Sequence, residues 1–164
     1  MPEEAEPSPG IRLDAFLLAE AIALHDNLAY IHGGGFTRLD VPTLPFAQPQ
    51  ISVFARFVGE PEDLAGAHTA GISLSDPAGA DLIPRTALPF AVQKERDLLA
   101  GEERTLTLGV TLGPIPLQHE GLYALELWFD DRLVRNLSFP VRVIDLSEPP
   151  PGWTKVSHEE EEGG

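Results

Sequence analysis

Cysteine is absent from this chain of 164 residues. Disulfides and thiolate metal sites are therefore excluded, which suits a reducing cytoplasm. Positive charge is scarce, with 11 Lys and Arg against 26 Asp and Glu. The resulting formal charge of −15 repels phosphate backbones and anionic lipid alike, so nucleic acid is a poor partner. No apolar run approaches a membrane span, and Met1 to Glu6 places acids where a signal peptide needs a basic region. The expectation is a cytoplasmic protein without membrane insertion. A hydrophobic content of 43% is enough for one domain with a real core.

The clearest pattern lies between Gly121 and Ile144. Tyr123, Leu125, Leu127 and Phe129 alternate with Ala124, Glu126 and Trp128, and then Leu137, Phe139, Val141 and Val143 alternate with polar neighbours. Period two over both arms predicts a β-hairpin with one buried face, interrupted on that face only by Arg135. A three-residue loop, Asp130-Asp131-Arg132, sets Phe129 against Leu133, Leu125 against Leu137 and Tyr123 against Phe139. In that register Trp128 faces outward opposite Val134. A half-buried hairpin needs a second sheet to cover it.

Earlier in the chain, residues 11–24 satisfy both helical and strand spacing, and His25-Asp26-Asn27 followed by Leu28 to His32 favours a long first strand returning as a hairpin. Gly33-Gly34-Gly35 reads as a bulge within the second strand, which Phe36 to Leu39 resumes. The prolines of residues 41–49 suit a crossing between sheets. Gln50 to Val58 is apolar on both sides, as a central strand is. His68 to Ser75 and Thr105 to Leu112 read as strands. Pro84 and Pro89 demote residues 82–92 to an edge. Residues 93–99 are a connection with room for one helical turn. Together these readings predict an all-β protein, a single antiparallel β-sandwich of about eight strands over residues 11–146. Residues 1–10 are expected to be a disordered leader, and residues 147–164 a proline-rich, then acidic, disordered tail.

Sites of chemistry are sparse. His32-Gly33-Gly34-Gly35 has the form of an esterase oxyanion stretch, yet the nucleophile motif G-x-S-x-G is missing, the nearest approach being Gly71-Ile72-Ser73-Leu74-Ser75. His25, His32, His68, His119 and His158 show no metal-ligand spacing. Asp26, Asp76, Asp81, Asp130 and Asp131 could bind calcium between loops, but each suits an ordinary turn. No cofactor and no metal ligand is implied.

The segments LDAFLLAEAIALHDNLAYIHGGGFTRL, LPFAQPQISVFARF, LSDPAGADL and GLYALELWFDDRLV together resemble a bacterial family of small all-β proteins, frequent in high-GC actinobacteria. The resemblance covers residues 11–144, and its most specific marks are the glycine triplet before an aromatic and the G-x-Y-x-L-x-L-x-x-D hairpin. It implies a sandwich of the immunoglobulin-like or C2-like type and transfers no activity. Gly33, Gly34, Gly35 and Gly121 are then backbone devices, and Tyr123 is a corner residue whose hydroxyl bonds back to the chain. The function expected is a non-catalytic protein-interaction or assembly module, binding a protein partner or a second copy through Trp128, Val134 and Trp153. The alternative is a metal-binding protein (calcium or a histidine site) or a hydrolase built on His32 to Gly35.

Overall fold

The strand Ile51–Gly59 is buried along nearly its whole length, and the rest of the fold is laid around it. The computed structural model describes residues 10–26, 28–94, 97–145 and 147. Apart from Gly10 and Ser147, the expected leader and tail, with Trp153 and His158, lie outside these residues.

Twelve strands are found among the described residues, and the chain is all-β with several sheets. The first is β1 (Ile11–Ala19), followed by β2 (Ala21–His25), β3 (Leu28–His32), β4 (Leu39–Val41), β5 (Phe46–Gln48) and the central β6 (Ile51–Gly59). After a four-residue helix, α1 (Pro61–Leu64), come β7 (Gly66–Ser75), β8 (Asp81–Val92), β9 (Arg104–Leu112), β10 (Ile115–Leu117), β11 (Gly121–Phe129) and β12 (Arg132–Val143). They form a three-stranded sheet β1-β6-β9, a five-stranded sheet β4-β12-β11-β7-β8, and the pairs β10-β5 and β2-β3. The single eight-stranded antiparallel sandwich is corrected on two counts. The short pieces on either side of the prolines pair independently, and β4 runs parallel to β12.

The three- and five-stranded sheets share one core. Phe57 of β6 meets Phe129 of β11 at a ring-centroid distance of 4.5 Å, and Ile51, Val53 and Ala55 join Leu74, Tyr123, Leu125 and Phe139 in the same cluster. Burial of this apolar surface, at roughly 25 cal/mol per Å², supplies the main driving force. Proline limits where pairing can occur. Residues 41–49 carry the chain from the edge of the five-stranded sheet to the β5–β10 pair, as a crossing should. With Pro84 and Pro89, β8 is an edge strand.

Three local expectations need correction. The long first strand is divided at Glu20: β1 pairs with β6 as far as Ala19 opposite Ser52, and β6 begins only at Ile51, after Pro49. Deprived of a partner there, the chain lifts away as β2 and pairs with β3 instead. The glycine triplet is a turn and not a bulge. Gly33 and Gly35 take φ of +59° and +83°, β3 ends at His32, and β4 resumes in the five-stranded sheet. Among the described residues of 93–99 no helical turn forms.

The β11–β12 hairpin keeps its predicted register through the middle, with Tyr123 opposite Phe139 and Leu125 opposite Leu137. Its tip differs. Asp130 and Asp131, at φ 46° and 61°, make a two-residue turn of left-handed residues, which matches the twist of the flanking strands better than a longer loop without glycine. Phe129 therefore faces Arg132 and Trp128 faces Leu133, and the register shifts between Leu127 and Trp128. Val134 is the extra residue, and the bulge turns it into the core at 5% exposure while Arg135 stays exposed.

Candidate functional site

The feature that stands apart from the core is the β2–β3 hairpin. It lies on the outer side of the three-stranded sheet, with β2 against β6 and β9. Gly109 of β9 allows this approach: a Cβ there would come within 3.0 Å of Ile22 Cγ2 and 3.4 Å of Leu24 Cδ1. The base is tied by Glu20, whose N–H donates to His32 O at 3.0 Å and whose carbonyl accepts from Gln50 Nε2 at 2.8 Å. The glycine turn closes over β1, Gly35 N–H donating to Leu18 O at 2.8 Å. A side chain at Gly34 would press its Cβ to within 2.5 Å of Ile31 Cγ2.

Residues opposite one another share a face. Ala21, Ala23, His25, Leu28, Tyr30 and His32 thus form the outer side, and Ile22, Leu24, Ala29 and Ile31 the side toward β9. Leu28 and Tyr30 are each 58% exposed, Leu24 45% and Ile31 38%. Half of the large exposed hydrophobic residues among the described residues are therefore on this one hairpin, a concentration that scattered surface leucines do not produce. A shallow depression of about 450 Å³ opens between Ala21, Ile22, Ala23, Tyr30, Ile31 and His32.

The residues expected to bind a partner are placed otherwise. Val134 is a core residue, because the bulge carries it inward, and it is corrected as a binding candidate. Trp128 does face outward but is half-buried. The guanidinium of Arg85 sits 4.2 Å above the ring and is itself held by Asp131 Oδ1 at 2.5 Å. Its indole Nε1 is buried without a hydrogen-bond partner. Trp153 lies outside the described residues.

The other sequence candidates are occupied locally. Tyr123 is fully buried and its hydroxyl donates to His119 O at 3.0 Å, the backbone bond a corner tyrosine makes. Gly121 takes φ +139°, and a Cβ there would meet Pro77 at 2.8 Å. Asp76 Oδ1 accepts from Ala78 N and Ala80 N at 2.9 and 2.8 Å, capping its own turn. Ser73 hydrogen-bonds to Glu126 Oε2 at 3.3 Å on the five-stranded sheet, whereas the glycine triplet belongs to the hairpin base on the three-stranded one. Among the described residues no three His, Asp or Glu side chains gather as a metal site.

One cluster was invisible in the sequence. His68, on β7, lies between Phe90 and Phe129 with its Nδ1 2.8 Å from Asp130 Oδ2 and its Nε2 3.1 Å from Leu64 O. Asp130 Oδ1 also accepts from Thr69 N at 2.9 Å. Both ring nitrogens are engaged, so this is a clasp joining α1, β7 and the β11–β12 turn rather than a catalytic base. His68 and Asp130 are 62 positions apart, a separation that no local spacing reports.

Residues 14–142 match a family of unknown function, DUF6941. The chain belongs to that family. No curated protein matches the sequence. Among solved structures, it is similar to the C-terminal domain of wzt at 14% identity and a TM-score of 0.44, over 83% of this chain and 74% of that one. It is also similar to an immunoglobulin-like protein from Pseudomonas aeruginosa, at 16% identity and a TM-score of 0.35 over 80% and 96% of the two chains. A beta-glucosidase from Listeria innocua, in complex with isofagomine, gives 15% identity and a TM-score of 0.40 over 77% of this chain but only 16% of that one. Among the described residues no helix is long and apolar enough to cross a membrane.

Proposed function

We propose that this family member is a non-catalytic interaction or assembly module, a cytoplasmic domain on an immunoglobulin-like frame whose contact surface is the β2–β3 hairpin. The observation that carries the reading is the exposure of Leu28, Tyr30, Leu24 and Ile31 on one element that is otherwise uncharged but for Asp26. Exposed apolar area of this kind gains about 25 cal/mol per Å² when a partner covers it. The frame reading is supported by the two sheets sharing a core and by the corner bond of Tyr123. Trp128 takes a lesser part, since Arg85 already covers its ring.

The test is site-specific photo-crosslinking in living cells. A photoreactive residue at Tyr30 should give discrete protein adducts, and one at Ala78 or Asp81, at the β7–β8 turn away from the apolar patch, should not. Equal or absent labelling at all of these positions would remove the hairpin from its role.

A further inference from the structure

The free edge of β3 points to a definite occupant, and this inference rests on the hairpin being the contact surface. Backbone direction along β3 follows from its pairing. Residues 26 and 27 separate the arms, with His25 opposite Leu28, and the pair closing a two-residue connection exchanges both hydrogen bonds. Bonded and non-bonded pairs then alternate. Leu28, Tyr30 and His32 therefore direct their N–H and C=O groups to β2, in agreement with the bond from Glu20 N to His32 O. Ala29 and Ile31 direct theirs to the open side. Among the described residues β3 pairs with β2 alone.

An unpaired edge recruits another strand unless it is guarded by charge, proline, irregularity or shortness. Among the described residues three of the other edges are guarded, while β9 carries no large exposed hydrophobic side chain and β2 lies against β6 and β9. β8 carries Pro84, Arg85 and Pro89, β1 carries Arg12 and Asp14 with a register shift between Leu13 and Ala15, and β4 is three residues long and includes Asp40. β3 reads Leu-Ala-Tyr-Ile-His, with no such device.

Charge and parity select the partner. Two molecules of charge −15 repel wherever their acids face each other. Residues 21–32 hold one acid, Asp26, which lies 3.1 Å from His25 Nε2, so two copies can approach along this hairpin at little electrostatic cost. Antiparallel pairing of β3 with itself about Tyr30 sets Ala29 against Ile31 of the other copy in both directions, which joins the outward backbone groups and only those. It also places Tyr30 beside Tyr30, and each small Ala29 beside a larger Ile31. A two-fold, self-complementary contact of this kind closes on itself and does not propagate. We propose that the protein forms a dimer in which β3 pairs with β3 of a second copy about Tyr30, making one continuous sheet in the order β2-β3-β3-β2.

The absence of cysteine makes the test direct. In the full chain, Tyr30→Cys should form a disulfide-linked dimer on mild oxidation, because residues on the axis are a non-bonded pair with Cα atoms about 4.5 Å apart, within disulfide reach. Leu28→Cys should cross-link with His32→Cys on mixing but not with itself. By sedimentation equilibrium the unaltered protein should have twice the chain mass, and Tyr30→Arg and Leu28→Lys, both at exposed positions, should be monomers whose melting temperatures match that of the unaltered protein under dissociating dilution. A monomeric unaltered protein, a dimer that survives both charge substitutions, or efficient self-linking of Leu28→Cys overturns the proposal. If it is overturned while a photoreactive group at Tyr30 still labels a different protein, the hairpin remains a contact surface with another occupant. If that labelling fails as well, both readings fall.

Discussion

Two hairpins in this molecule have the same local design and opposite fates. β11–β12 and β2–β3 each join antiparallel arms through two residues, and each alternates along its strands. In the first, Tyr123, Leu125, Leu127 and Phe129 are essentially inaccessible. In the second, Leu28 and Tyr30 are more than half exposed. The difference lies in what each face meets. β11 sits between β12 and β7 and faces the three-stranded sheet, whereas β2–β3 left that sheet when β1 ran out of partner at β6. Alternation reports that a strand has an apolar face, and tertiary placement determines whether anything covers it.

The largest effect should come from truncating the buried hairpin. Leu125→Ala removes a fully buried side chain and should cost about 2–5 kcal/mol in urea unfolding. A cost similar to that of an exposed position would mean the two hairpins are not distinct in packing. Next in size is Asp130→Asn. Asparagine tolerates the left-handed φ of the turn but loses the charge-assisted contact to buried His68, and about 1–3 kcal/mol should be lost in the same measurement. An unchanged denaturation midpoint would show that the clasp contributes nothing.

Gly34→Val sharpens the comparison at the base of the outer hairpin. Its side chain collides with Ile31, so a loss of about 1–2 kcal/mol is expected, accompanied by faster hydrogen exchange in residues 28–32. Exchange that accelerates equally in β11 would instead show that the outer hairpin and the core open together. Leu28→Ala, the counterpart of Leu125→Ala, should change stability by less than about 0.5 kcal/mol. Measured under dissociating dilution, a loss above 1 kcal/mol would show that Leu28 is packed within the monomer.

The smallest effect is electrostatic. Arg12 forms paired hydrogen bonds to Glu103, one of them 2.8 Å long, and these hold the Glu103 carboxyl below its ordinary value. A depressed folded value means the contact helps above the ordinary carboxylate range and is lost as pH falls through the lower folded value. Both groups are exposed, so the effect should be visible in an NMR titration of Glu103 and not in the melt. Arg12→Ala should move that titration upward; no movement would mean the pair does not persist in solution.

What the sequence by itself determined is the class of the protein, the paired centre of β11–β12, the doubly buried β6, the proline-guarded edge at β8 and the turn after His25. Each rests on a periodicity or on a proline or turn residue, properties that act over a few positions and need no distant partner. The tertiary structure decided where β1 ends, because that depends on β6 starting only after Pro49, a distant constraint of the kind shown by the Gln50 to Glu20 bond across 30 positions. It also decided the turn at Asp130. There a buried histidine and the Thr69 amide hold the carboxylate, favour two left-handed residues over a three-residue loop, and shift Val134 into the core. The exposure of β2–β3 belongs with these. An apolar residue carries the same label in a strand whether or not another sheet lies against it, and burial is a property of the neighbour as much as of the residue.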